Sequence, residues 1–170
     1  MLRPALAEAA KDIREIEARI RAIERQLECV AGESPVVTQL RTIPGIGLLT
    51  ATALMATVGD VARFPSGRHV ASYLGLTPRE DSTALRRRLG AISKRGDTYV
   101  RMLVIHGARS VLCHAKRKSA PPPDRLRAWA LQLERLRGHN KAAVALANKL
   151  ARIVWAVWRH GQDYVETPAR

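Results

Sequence analysis

The chain is predicted to be all-α, and three observations carry that prediction. Apolar residues recur at intervals of three and four along most of its length. Aromatic residues make up only 4% of the chain, while Ala, Leu, Ile and Val supply most of the 46% hydrophobic content; this composition suits helices packed through aliphatic side chains better than a β-sandwich. Residues that cap helices, Ser or Asp before and Gly after, stand at the edges of the periodic stretches.

Residues 1–33 read as a single amphipathic helix. Leu6, Ala9, Ile13, Ile16, Ile20, Ile23, Leu27 and Val30 alternate three and four apart, the a/d seam of a coiled coil. Glu15 with Arg19 and Glu17 with Arg21 support it at i,i+4, and Pro4 sits where a first helical turn tolerates proline. The seam predicts pairing between chains, hence a homo-oligomer. The run AGESP at residues 31–35 breaks the helix and opens a second unit, residues 34–170.

In that unit a helix is expected to follow Gly47 and end at Val58, and another to run from a Ser66 cap towards Leu74, stopped by Gly75. Residues 75–96 hold three glycines, Pro78 and many charges without a clean period, which reads as a long loop or a short hairpin. Asp97 caps a helix through His114, with Val100, Leu103, Val104, Ala108, Val111 and Leu112 on its apolar face. After a basic, proline-rich break at residues 116–123, Asp124 caps a helix to Leu136 closed by Gly138, and Asn140 caps the last helix through His160. The tryptophans of that last helix fall on its apolar stripe and read as core.

Charge is unevenly spread. Lys and Arg total 29 against 15 acidic residues, a formal net charge of +14. Residues 1–40 hold six basic and seven acidic side chains, so the surplus lies in the second unit. A surplus of that size suits a polyanion, because neutralising phosphates releases condensed counterions, and DNA is the partner expected. Cys29 and Cys113, without a CxxC pair or a matching histidine cluster, indicate neither a disulfide framework nor a zinc site. No stretch reaches the roughly 20 apolar residues of a membrane span and no signal-peptide core is present, so a cytoplasmic protein is expected.

Two motifs bear on chemistry. The turn IPGIG at residues 43–47 resembles the hairpin of a helix-hairpin-helix element: Pro44, Gly45 and Gly47 would bring backbone N–H groups to a DNA phosphate. Between Leu74 and Asp97, Ser82 and Thr83 sit among Arg79, Arg86, Arg87, Arg88, Lys94 and Arg95. A hydroxyl attacking a phosphodiester needs nearby cations to stabilise the developing charge. Arg101, just beyond, is read as a further DNA contact. His106 and His139 read as packed or capping histidines, and Tyr99 as structural.

The ordered motifs TIPGIG, GDVARFPSGRHVASYLGLTPRE, LGAISKRGDTYVRMLVIHGARSVL and RGHNKAAVALANKLARIVWA, over roughly residues 38–160, are similar to the C-terminal domain of the DEDD/serine insertion-sequence transposases, the bridge-RNA-guided recombinases. The resemblance implies a serine nucleophile in the loop after GLTP, here Ser82 with Thr83 as the alternative. It also implies guide RNA as a partner, and a RuvC-like domain whose acidic residues bind divalent metal. No such domain is recognisable before Pro35, so this chain is expected to be a truncated copy with no metal site or other cofactor of its own. Ala84 and Leu85 stand where members of the family carry glycines.

Overall fold

A computed structural model describes residues 2–83, 86, 88–117 and 124–168, of Leu2 the backbone alone. It is all-α apart from one small hairpin. Helix α1 (Leu2–Gly32) is followed by α2 (Pro35–Leu40), α3 (Leu48–Val58), a 3-10 turn (Val61–Arg63) and α4 (Gly67–Tyr73). Strands β1 (Pro78–Glu80) and β2 (Leu89–Ile92) come next, then α5 (Thr98–Ala115), α6 (Arg125–Arg137) and α7 (His139–His160). No helix among the described residues is long and apolar enough to cross a membrane.

The helices begin where the capping logic places them. Asp97 and Asp124 accept the backbone N–H groups of Val100 and Arg127 at 2.8 and 2.7 Å. Two starts differ from expectation. Helix α7 begins at His139 rather than beyond Asn140, because Gly138 at φ +83 both closes α6 and starts α7. Helix α2, not foreseen, is started by Ser34, whose hydroxyl accepts Val37 N–H at 3.4 Å, with Pro35 in its first turn.

The core is built around α7. Its residues Ala142, Ala143, Leu146, Ala147, Leu150, Ala151, Val154 and Val157 are buried, a stripe wide enough to pack α4, α5 and α6 at once. Alanine on this stripe lets the neighbouring helices approach closely. The tryptophans are half-buried at the margin of the core, and Trp155 Nε1 donates to Phe64 O at 2.9 Å.

Helix α1 meets this body through α2 and α3. Ala31 is buried and Arg41 reaches Glu28 at 2.7 Å. The helix is roughly 46 Å long at 1.5 Å per residue, and its seam is open: Leu6, Ile13, Ile16, Ile20, Ile23 and Val30 are each about half exposed or more.

The IPGIG turn is a type II β-turn. Ile46 N–H donates to Ile43 O at 3.0 Å, Pro44 occupies the second position, and Gly45 at φ +82 the third, where only glycine is free of strain. Gly45 also rests against α5. A Cβ on Gly45 would lie 2.6 Å from Gly107 O, and one on Gly107 would fall onto Gly45 O. These two glycines are the point at which the turn and α5 touch backbone to backbone.

Candidate functional site

The serine region is a two-stranded antiparallel hairpin that leaves the body after α4 and returns to it before α5. Gly75 turns the chain outward at φ +69. Ser93 N–H donates to Thr77 O at 2.8 Å and Lys94 N–H to Gly75 O at 3.1 Å, closing the base. Lys94 itself sits at φ 56, a left-handed conformation that costs a non-glycine residue about 1–3 kcal/mol and that these bonds hold in place.

Arg101 clamps that base from inside. Its guanidinium donates to Gly96 O at 2.9 Å, Thr98 Oγ1 at 3.1 Å, Leu74 O at 3.3 Å and Asp97 O at 3.4 Å, and the residue is 8% exposed. The residue read from sequence as a DNA contact is thus turned inward. Arg101 lies in the first turn of α5, where its side chain folds back onto the carbonyls of Leu74, Gly96 and Asp97 at the two ends of the hairpin segment.

Register along the hairpin pairs Pro78 with Ile92 and Glu80 with Leu89, leaving one extra residue on β2 as a bulge. Asp81 N–H then donates to Arg88 O at 3.0 Å, and Thr83 and Arg86 exchange backbone hydrogen bonds at 3.0 and 3.1 Å. Between these rungs stands Ser82. Its hydroxyl donates to Glu80 Oε1 at 2.8 Å and its oxygen accepts Arg88 N–H at 3.1 Å. Arg79, Glu80, Asp81, Ser82, Thr83, Arg86 and Arg88 are all exposed, as are Lys94 and Arg95 at the base. Arg87, Ala84 and Leu85 lie outside the described residues. The carboxylate partner of Ser82 was not foreseen from sequence; its one signal was the i,i+2 spacing in a stretch that could have been read as strand.

A groove of about 970 Å³ runs beneath the hairpin, between Leu76, Pro78 and Ile92 on one side and Asn140, Val144, Asn148 and Lys149 of α7 on the other, with Trp129 at its wall. Asn148 Nδ2 ties α7 to the hairpin's root by donating to Leu76 O at 3.2 Å. Lys141, Lys149 and Arg152 bring cations to the groove. Burial, and then the charges of Arg125 and Arg152, hold the Lys149 amine below its ordinary pKa; it lies 4.2 Å from the Trp129 ring centroid. These three cations form no run in the sequence, because they alternate with core positions of α7.

The remaining candidates fall elsewhere. Pro44 and Gly45 are partly buried in the turn against α5, whereas Gly47 is exposed, with open space where a Cβ would stand, and precedes the free N–H groups of α3. His106 is exposed on α5 rather than packed, and Tyr99 is exposed as well. His139 Nδ1 lies 2.6 Å from Glu134 Oε1; the hydrogen bond from Lys116, then that of His139, holds the Glu134 carboxyl below the usual range.

A divalent metal belongs to the family resemblance, which makes the acidic residues candidate ligands. No three His, Cys, Asp or Glu side chains among the described residues converge to hold an ion. Glu15, Glu17, Glu24 and Glu28 are spread along exposed turns of α1. These residues do not fit such a site.

Known proteins similar to this chain include transposases of insertion sequences. The chain is 44% identical over 152 residues to a probable family 20 transposase of Pseudomonas aeruginosa, covering 89% of this chain and 44% of that protein. It is 40% identical over 141 residues to the transposase for insertion sequence element IS1111A of Coxiella burnetii, covering 83% of this chain and 38% of that protein. A 46-residue stretch is 46% identical to the pilin gene-inverting protein of Moraxella lacunata, covering 27% of this chain and 14% of that protein. The chain thus spans less than half the length of these relatives. Residues 37–121, which run from α2 through the turn, the hairpin and α5, match the transposase IS116/IS110/IS902 family, and the chain belongs to that family.

Proposed function

We propose that this chain is a DNA-engaging unit of an insertion-sequence transposase and that Ser82 is its nucleophile towards a phosphodiester. The observation that carries the reading is the setting of the hydroxyl. It is held between two side-chain and backbone partners on an exposed hairpin, with Arg79, Arg86 and Arg88 exposed around it. Attack by Ser82 Oγ on phosphorus releases one sugar oxygen and leaves the other DNA end esterified to the protein. The arginines offset the charge that builds on the phosphoryl oxygens. The ester stores the bond, so a second DNA end can displace the serine and exchange strands. A relative named for inverting a pilin gene is in keeping with such exchange.

DNA is held first by its backbone. Arg79, Arg86, Arg87, Arg88, Lys94 and Arg95 supply the cations, and the N–H groups at the start of α3, after Gly47, meet a phosphate in the manner of a helix-hairpin-helix element. Guide RNA is a second polyanionic partner in this reading. The open seam of α1 pairs with α1 of another copy as a coiled coil, giving a homo-oligomer, and the complex acts in the cytoplasm.

The test joins this chain to the segment that completes the length of its relatives and looks for a covalent protein–DNA adduct on a denaturing gel. Ser82→Ala should abolish the adduct while DNA binding persists. Loss in Thr83→Ala with retention in Ser82→Ala moves the nucleophile by one residue. If neither substitution matters, the serine reading is refuted. A non-enzymatic module that binds DNA and oligomerises then takes its place, a second reading favoured by the exposed isoleucine seam.

A further inference from the structure

We propose that Glu80 is the proton acceptor for the Ser82 hydroxyl, so that this chain carries the base for its own nucleophile. The inference rests on the reading of Ser82 as nucleophile.

A serine hydroxyl has one proton and two lone pairs. Ser82 directs the proton to Glu80 Oε1 at 2.8 Å and uses one lone pair for Arg88 N–H at 3.1 Å. The residue is exposed, which leaves the second lone pair open to an incoming phosphorus. The backbone donor stabilises the oxygen as its proton departs.

Strand geometry explains why the partner is Glu80 and not its acidic neighbour. Along extended backbone, residues two apart share a face and adjacent residues point to opposite faces. Glu80 and Ser82 are two apart and share a face, and the alternation assigns Asp81 between them to the opposite one. The cross-strand rungs at Glu80–Leu89, Asp81–Arg88 and Thr83–Arg86 hold this register, and a slip of one residue would exchange the two faces.

In the step itself the Ser82 Oγ–P bond forms and the P–O bond to the departing sugar oxygen breaks. The Ser82 proton passes to the Glu80 carboxylate, and the departing oxygen takes a proton from water. A positioned base of this kind accelerates attack by about 10²–10⁴-fold.

The purified chain can be tested with an alkyl fluorophosphonate. Ser82 Oγ attacks phosphorus, the P–F bond breaks, fluoride leaves as the anion and Glu80 takes the proton. Labelling is followed by mass spectrometry of the peptide that contains Ser82. Faster labelling of Ser82 than of the other serines is expected, and Glu80→Gln should slow it by about 100-fold or more, with Glu80→Asp recovering part of the rate. The Gln side chain still accepts the Ser82 hydrogen bond but cannot take the proton, so a purely orienting role would leave Glu80→Gln near the wild-type rate and overturn the proposal. Unselective labelling of wild-type Ser82 would overturn it too. The DNA adduct separates this from the parent reading. Glu80→Gln forming adduct at the wild-type rate refutes the base alone, whereas Ser82→Ala still forming it refutes the nucleophile.

Discussion

Replacing Arg101 with methionine separates a structural arginine from a DNA-binding one. The guanidinium is buried and makes four hydrogen bonds, two of them short, at 2.9 and 3.1 Å. Hydrogen bonds from a charged donor contribute about 1.5–3 kcal/mol each, and the two longer bonds add little. Two bonds at the low end come to about 3 kcal/mol, and release of the buried charge returns part of it, so a net loss of about 2–3 kcal/mol is expected. In a chain of this size that lowers Tm by roughly 4–12 °C. The second readout is the salt dependence of duplex DNA binding, where each phosphate contact contributes about 0.9 to the slope of log K against log salt. Arg101→Met should leave that slope unchanged below its melting temperature. Arg86→Ala should do the opposite, lowering the slope by about one and leaving Tm within the roughly 0.5 kcal/mol typical of a surface change. A normal Tm for Arg101→Met together with a slope reduced by one would refute the assignment and return Arg101 to the DNA surface.

Three further outcomes are expected. Gly107→Ala gains about 1 kcal/mol in helix propensity, yet its Cβ would fall onto Gly45 O, and overpacking of this kind costs about 1–3 kcal/mol or more; a calorimetric Tm below that of the parent is expected, and a rise would refute the backbone contact. Burial, then Asp124, pushes the Tyr164 hydroxyl up to about 12, so the folded chain keeps a proton that the unfolded chain releases near the ordinary value of 10. That stability is present below about pH 10 and lost as pH rises towards 12; Tyr164→Phe should remove the component at about 12 from an ultraviolet titration and flatten the alkaline loss in Tm. Ile16→Glu with Ile20→Glu places charge on the open α1 seam; light scattering should show the parent as an oligomer and the double variant as a monomer with the Tm of the helical body unchanged, and a monomeric parent or an unaltered oligomer would refute pairing through this seam.

Periodicity and capping make most of the fold legible in the amino-acid sequence. The three-four spacing from Leu6 to Val30 defines α1, Asp97 and Asp124 mark the starts of α5 and α6, and the aperiodic, glycine-bearing residues 75–96 mark the excursion that becomes the hairpin. These features are local: a helix face and a cap depend on residues within a turn or two of each other, and the chain order of the motifs is preserved in its letters. Ser82 among arginines is likewise visible, because residue type and proximity along the chain suffice to see it.

What depends on tertiary structure is direction and company. Arg101 is one arginine among many in sequence, and only the carbonyls of Leu74 and Gly96, brought beside α5 by the returning strand, turn it inward. Gly45 was expected to face a phosphate, but folding brings Gly107 to within backbone contact of it, 62 positions along the chain. Glu80 meets Ser82 because cross-strand hydrogen bonds select an extended register, a choice made by β2 and not by the residues between them. Lys141, Lys149 and Arg152 become one groove only when α7 lies under the hairpin. Composition and spacing determine which residues can form each element; which way a charge points is decided by the unsatisfied partners that the packed elements present to it.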